Sequence, residues 1–436
     1  MTFNLTSPLG SLRSREHSPE TRPDFISAAC LDYDLTIVGG GIVGLTLACG
    51  LQHSGLSVAV IEAQTLEAAA ARRRAYAMSP LSADIFKGLD LWSEIGPAVT
   101  HFKRVQLSDA DFGRVVEFCP QDLGRDAVYY AAEHSVLMGA LQRRLQQSGT
   151  VDYLSTTRVT QVDYQPDWVE LTVERDGQPR SLRTQLVVAA DGARSPLRQE
   201  ANIPTLGWRY WQSCITAVLA PEKPHENKAY ERFWPSGPFA ILPLPNGHCQ
   251  IVWTAPHAEA QALMQLPKSQ FMTALERRYG SQMGRLELVS EPLLFPVQLM
   301  QSRAYTRSRL ALIGDAAHCC HPVGGQGLNM GIRDAAALAQ VLQTASRQGT
   351  NLGSTTVLKR YDRWRRRENW AVLGLTDFLN RSFSNQWLPL VVARRLGIVV
   401  LQTLVPLRRL ALHLMAGFFG RRPDLARVQM GRSPSV

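Results

Sequence analysis

The sequence predicts an α/β protein: a parallel-sheet domain, an antiparallel-sheet domain interleaved with it, and a helical C-terminal region. Three observations carry this. Apolar runs at 35–38, 186–190 and 310–313 each end in a glycine turn, the last two with an aspartate, as buried parallel strands do. Between 205 and 300, period-two runs alternate with proline and glycine clusters, the pattern of antiparallel strands. From 358 onward, arginines and apolar residues share long segments that read as helix.

Taken in order, Leu35–Val38 is a buried strand that runs into Gly39, Gly41 and Gly44 at G-x-G-x-x-G spacing. Gly39 allows a tight turn, Gly41 lets a pyrophosphate approach the backbone, and Gly44 lets the next helix lie close to the sheet. Ile42 and Val43 open that helix, Ile42–His53, whose free N–H groups and dipole favour an anion. Ser57–Ile61 returns as a second strand and delivers Glu62, 18 residues after Gly44, where a carboxylate accepts from a ribose hydroxyl. This is the Rossmann-like context of a dinucleotide site. The carboxylate disfavours a 2′-phosphate, so the ligand is FAD or NAD rather than NADP.

Arg72-Arg73-Arg74 precedes alternating apolar residues, and Arg74 is the arginine placed to return to the diphosphate. Residues 80–100 read as one helix ending near Gly96-Pro97. Arg104–Ser108 and Arg114–Phe118 read as short strands, Ser135–Gln147 as an amphipathic helix, and Val159–Tyr164 with Trp168–Arg175 as a pair of strands. The strand Leu186–Ala190 ends at Asp191-Gly192, and strand C-termini in a parallel sheet open onto the ligand crevice. Ser213–Leu219, Lys228–Phe233, Phe239–Leu242 and Cys249–Thr254 form a sheet with one face packed and the other toward a pocket. Its aromatics Tyr230, Phe233, Trp234, Phe239 and Trp253 suit either core or site. Ser269–Tyr279 is a helix.

Leu310–Ile313 runs into Gly314-Asp315, and the loop holding Gly324, Gly325, Gly327, Leu328 and Asn329 precedes a helix at Ile332–Ser346. That loop is a second positive helix terminus. His318, Cys319, Cys320 and His321 are consecutive, point in different directions and cannot alone close a tetrahedral cage, so no metal is expected.

Bulk properties narrow the class. A chain of 436 residues, 45% apolar, suffices for two or three domains. Of the +10 net charge, +7 lies from Trp387 onward (eight Arg, no Lys, one acid, Asp424), so the body is close to neutral and no nucleic-acid partner is implied. Seven cysteines without C-x-x-C spacing argue against a disulfide framework and for a reducing, cytoplasmic setting. Residues 1–30 read as a disordered leader, and no apolar run reaches bilayer-spanning length.

Together, Gly39–Gly44, the D-G-A-R-S of Asp191–Ser195, and Gly314–His318 with the following P-V-G-G-Q-G-L-N resemble the three fingerprints of group A flavoprotein aromatic hydroxylases, which share the para-hydroxybenzoate hydroxylase fold. Tyr230-Glu231-Arg232-Phe233 and Gly237–Pro243 are similar to the ubiquinone-biosynthesis hydroxylase family. The resemblance covers residues 32–420. It implies that Gly39, Gly41, Ile42, Val43, Gly44 and Glu62 hold the ADP half of FAD, with Arg74 near the diphosphate. Gly314 and Asp315 would meet the ribitol, and Gly324, Gly325, Gly327, Leu328 and Asn329 the isoalloxazine ring. Asp191 and Gly192 would link FAD to NAD(P)H handling. The family often has Arg or Gln where this chain has Glu133-His134-Ser135.

The implied activity is monooxygenation: NAD(P)H, binding transiently, reduces FAD, dioxygen adds, and the resulting hydroperoxide delivers one oxygen to the ring of a prenylated phenol. No residue stands out as acid or base. The implied organisation is a leader (1–30), an FAD-binding domain in three parts (31–100, 133–204, 301–348), a substrate domain in two (101–132, 205–300) and a basic helical region (349–436). A reductase of the same fold, or a non-catalytic flavoprotein of a quinone-synthesis complex, are the rival readings. In the tail, Arg394-Arg395, Arg408-Arg409 and Arg421-Arg422 alternate with apolar runs. Such a segment either lies on an anionic membrane, at its inner face, or packs on the body with its arginines solvated.

Overall fold

The computed structural model describes residues 31–109, 112–280 and 282–427; the leader expected at 1–30 lies outside these. Strand Tyr33–Val38 sits between Val58–Ile61 and Gln178–Ala189, parallel to both, with Leu35 opposite Val58 and Leu186. Val151–Leu154 and Leu310–Leu312 extend the parallel sheet at either side. Their central residues, Leu35, Ile37, Val58–Ile61, Leu186–Ala189 and Leu310–Leu312, are apolar and buried because helices cover both faces. Helix Ile42–Leu51 packs on helix Gln326–Arg347 so closely that a Cβ on Gly50 would sit 3.1 Å from Ala339 Cβ. Gln178–Ala189 is longer than its apolar half: the polar half pairs antiparallel with Val169–Arg175, which pairs with Thr157–Tyr164.

A second sheet of nine strands is mostly antiparallel. Its long central strand, Thr205–Pro221, pairs with Cys249–Pro256 and Leu293–Ser302. Lys228–Trp234 joins Gly237–Pro243 antiparallel and Arg104–Asp109 parallel, drawing an early segment of the chain into this sheet. Period-two alternation then sorts the side chains. Ile215, Leu219, Phe239, Ile241 and Trp253 pack under helices His257–Met264 and Lys268–Tyr279, with Tyr230 and Trp234 against them. Of the five aromatics, Phe233 alone turns to the opposite face, where it lines a cavity. The stripe is core.

Two helices differ from expectation. Residues 80–100 do not form one helix: Pro80–Gly88 ends at Asp90, whose φ of 58° is left-handed, and Trp92–Ile95 restarts at a new angle. The helix after the glycine loop begins at Gln326, six residues before Ile332. Its first turn is sealed by Asn329, which apolar spacing does not register.

The C-terminal region is three helices, Thr355–Phe383, Leu388–Thr403 and Val405–Met415. Among the described residues no single helix is long and apolar enough to cross a membrane, and the last two meet at 105°. Their arginines are largely not solvated. Arg394 is buried, paired with Asp109 at 3.1 Å and donating to the carbonyls of Ser382, Phe383 and Asn385, while Arg408 pairs with Asp122 at 3.0 Å. The apolar side chains face outward instead, including Trp387, Leu388, Val392, Leu396, Leu407, Leu410 and Leu414.

Candidate active site

The first glycine turn is closed by contact. Gly39 has φ 112°, and a Cβ there would fall on the Ala190 carbonyl oxygen; a Cβ on Gly44 would fall on the Gly39 carbonyl oxygen. Gly41 differs, with nothing within 4 Å of a built Cβ. Gly41, Ile42, Val43 and Gly44 line a cavity, and no side chain caps the helix that starts there, leaving its N–H groups free for an anion. Glu62 stands behind the turn, accepting from the N–H of Gly40 at 2.8 Å and of Gln64 at 2.9 Å.

Gly192, Asp315, Gly324, Gly325, Gly327 and Leu328 line the same cavity, as does Arg74, with Tyr76 and Phe295 beneath its guanidinium. Thus the three motifs, distant in sequence, face one space. Gly39, Glu62, Asp191, Gly314 and Asn329 stand behind the wall. Asp191 Oδ2 accepts from Leu197 N at 3.4 Å, while Oδ1 has no partner among the described residues. Burial raises the Asp191 carboxyl, and a Ser195 hydrogen bond works against it.

Asp315 lines the cavity, and its exposed surface opens there. Burial raises its carboxyl, opposed by His318 and Arg74. Gly314 beside it donates its N–H to Asp334 at 3.2 Å, and Asp334 is also held by His318, Arg365 and Asn369. Asn329 is a strut: it accepts from Ser79 N and Ser82 Oγ and donates to the Ala77 and Gly325 carbonyls, bolting the glycine loop to the strand Ala75–Met78. His134 lines the cavity at the place where the resemblance has Arg or Gln, with Nε2 2.8 Å from the Ala69 carbonyl. The run 318–321 disperses, His318 toward Asp334 and His321 edge-on to Tyr210.

The cavity, about 550 Å³, continues past the glycine loop under the nine-stranded sheet. Thr216, Ala229, Phe233, Ala240, Leu242 and Val252 form its roof, and Leu379, Leu412 and Met415 from the C-terminal helices form its far end. One acid lies among them, Glu231. The sequence signal was there: in Lys228–Trp234, alternation puts Glu231 on the same face as Ala229 and Phe233. A charge in a period-two strand ordinarily marks the solvent side, so the spacing by itself does not distinguish Glu231 as a site residue.

These features suit a long ligand carrying a diphosphate and a flat ring. An uncapped helix start and an open Gly41 accept the anion; the Asp315 carboxylate supplies a polar partner on the wall, with Asp191 behind it; the Gly324–Leu328 backbone offers a flat, side-chain-poor platform.

Comparison with known proteins follows the same outline. A family described as "FAD binding domain" matches residues 32–376. A protein of Synechocystis (strain PCC 6803), named only as uncharacterized protein slr1300, is 47% identical over 92% of this chain and 98% of its own length. Ubiquinone hydroxylase UbiL of Rhodospirillum rubrum is 35% identical over 91% of this chain and 92% of its own. Among solved structures, p-nitrophenol 4-monooxygenase PnpA from Pseudomonas putida DLL-E4 superposes with a TM-score of 0.77 at 20% identity, covering 89% of this chain and 98% of that one.

Proposed function

The chain belongs to the FAD-binding-domain family of ubiquinone-biosynthesis hydroxylases, FAD-dependent aromatic monooxygenases, and from that premise we propose that it hydroxylates the ring of a prenylated phenol on the way to ubiquinone or a related prenylquinone, using NAD(P)H and dioxygen. The observation that carries the substrate class is the cavity's second half. It is roofed by apolar side chains, and it ends at Leu412 and Met415 on a helix whose outer residues Leu407, Leu410 and Leu414 are exposed. A ring placed under the sheet would leave its apolar tail at that wall.

In this reading the parallel-sheet segments hold the cofactor and the antiparallel segments wall the substrate. Gly39, Gly41, Ile42, Val43, Gly44, Glu62 and Arg74 would hold the ADP half of FAD. Gly314, Asp315, Asp191 and Gly192 would hold its middle, and Gly324, Gly325, Gly327, Leu328 and Asn329 its ring, Asn329 by fixing the loop. Bound there, the flavin supplies two-electron reduction and dioxygen activation. The protein orients the ring and keeps water out with Phe102, Phe118 and Phe233. NAD(P)H binds transiently, since no second glycine fingerprint of the dinucleotide type is present in the sequence.

The bent helix pair is proposed to rest on a membrane surface through its apolar residues rather than its arginines, most of which are committed to Asp109 and Asp122. The deciding measurement is NAD(P)H oxidation and oxygen uptake by the purified yellow protein with a prenylated phenol, with mass spectrometry of the product. Gain of one oxygen atom supports the proposal. Reduction of the phenol's tail without oxygen uptake supports a reductase, and no turnover with any phenol supports a non-catalytic role.

A further inference from the structure

Glu231 is the one carboxylate under the roof of the ring-binding half of the cavity, and the partner it has there is a backbone N–H, that of Gly324. It is fixed on a strand, with Leu107 and Ala240 as its register neighbours on the flanking strands. Beside it stands the Gly324 loop, the one proposed to meet the flat ring of the cofactor. Among the described residues no side chain donates a hydrogen bond to its carboxylate, and no ion pair includes it.

We propose that Glu231 is the catalytic base of the hydroxylation, accepting the proton of the substrate's ring hydroxyl. The inference rests on the phenol-hydroxylase reading above and adds the residue that activates the phenol. The O–H bond breaks, its proton moves to a Glu231 carboxylate oxygen, and its electron pair enters the ring and raises electron density ortho and para to that oxygen. The C–O bond then forms with one oxygen of the dioxygen that NAD(P)H electrons have reduced, as its O–O bond breaks; the other oxygen takes that bond's electron pair and leaves as water, so the ring is oxidised by two electrons and the oxygen reduced. The C–H proton at that carbon leaves as aromaticity returns, and Glu231 returns its proton to the ring oxygen.

The environment suits this chemistry. Burial pushes the Glu231 carboxyl from 4.5 up to about 8, with a backbone hydrogen bond from Gly324 pulling the other way. Against a phenol near pKa 10, that makes proton transfer roughly three thousand-fold more favourable than to an ordinary carboxylate. Other titratable groups around this space are Arg72, Arg74, Tyr76, Tyr129, His134, Tyr230, Asp315, Cys319 and Cys320, with Cys214 on Thr205–Pro221; burial raises Tyr76 and Tyr230. Burial holds Tyr129, Cys214 and Cys320 up at about 12, and Cys319 higher still, so none of these four titrates near neutral pH. The strands beside Glu231 and the helix residues Leu412 and Met415 present apolar groups.

The test uses the FAD-loaded full chain and 2-prenylphenol as probe, with dissociation constants read from flavin fluorescence. Wild type should bind the phenol about tenfold more tightly at pH 9 than at pH 7, as the carboxylate forms. The methyl ether of the probe should show no such change. Glu231→Gln should abolish the pH dependence and lower kcat about 10²–10⁴-fold with flavin content intact, while Glu231→Asp should keep the pH dependence at reduced kcat. A Glu231→Gln protein that retains both the pH-dependent binding and the wild-type kcat overturns the assignment alone. Wild-type protein that never consumes oxygen with a phenol overturns the functional reading and this one with it.

Discussion

The Nε2 of His318 lies 2.5 Å from Oδ2 of Asp334, and neither side chain touches solvent. Burial alone would raise the Asp334 carboxyl; His318 and Arg365 outweigh it and bring it down to about 2. Because the pKa is lowered on folding, the stabilisation is present above 3.8, the ordinary value, and is lost as pH falls through about 2. Asp334→Asn takes the shared carboxylate from His318 and Arg365, leaving Arg365 with Glu368 as its acid, and should cost about 3 kcal/mol in urea unfolding at pH 7. The same substitution should make much less difference at the acid end of the window.

Two glycines a few residues apart should fail differently. Gly44→Ala drives a methyl into the Gly39 carbonyl and should lower stability by about 1–3 kcal/mol, read as a fall in Tm of the flavin-free protein. Gly41→Ala meets no protein atom, so its flavin-free Tm should be unchanged while FAD binds at least about tenfold more weakly, a loss of roughly 1.4 kcal/mol.

Glu231 should also leave a mark on stability. Its pKa is raised in the fold, so its contribution is fully present below 4.5 and is lost as pH rises through about 8. Glu231→Gln removes that dependence. Its Tm advantage over wild type should therefore grow between these two values and level off above, which thermal melts across pH would read.

Neighbouring arginines in the tail should separate sharply. Arg394 is buried on Asp109 and three carbonyls, and Arg394→Ala should cost about 3–5 kcal/mol by leaving Asp109 under-compensated. Arg395 shares Asp109 at 3.1 Å from a partly exposed position, and Arg395→Ala should cost about 1 kcal/mol or less. Paired urea titrations would show the contrast.

Membrane attachment should follow the apolar row. Leu388, Val392 and Leu396 recur every four residues on one helix face and are 71%, 58% and 60% exposed. Replacing all three with glutamate should abolish flotation with vesicles while Tm stays within a few degrees of wild type. Neutral vesicles should retain the protein nearly as well as anionic ones, since the nearby arginines are spent internally.

The cofactor half of the molecule was legible because its turns are made by contact: no other residue fits where Gly39 and Gly44 meet backbone oxygens, so the sequence must spell them. The break at Asp90 was hidden, because a left-handed φ at a non-glycine residue leaves no mark in apolar spacing. The strand Leu293–Ser302 was missed because Pro292 and Pro296 read as punctuation, although Pro296 sits where the pairing with Thr205–Pro221 is already irregular. Arginine pairs in the tail suggested solvent or lipid headgroups; their acids, Asp109 and Asp122, lie nearly three hundred residues away. Pairing over that distance is set by topology and cannot be read locally.

Helix Val405–Met415 has one side in the cavity, at Leu412 and Met415, and the other at the surface, at Leu407, Leu410 and Leu414. A partition one helix thick, about 10 Å, would on the proposed function make the enzyme a reader of heads and indifferent to tails. For the prenylated phenol proposed above, isoprenoid units beyond the first few would need no room inside, so lengthening the chain should alter how substrate divides between water and lipid and leave the turnover of bound substrate as it was.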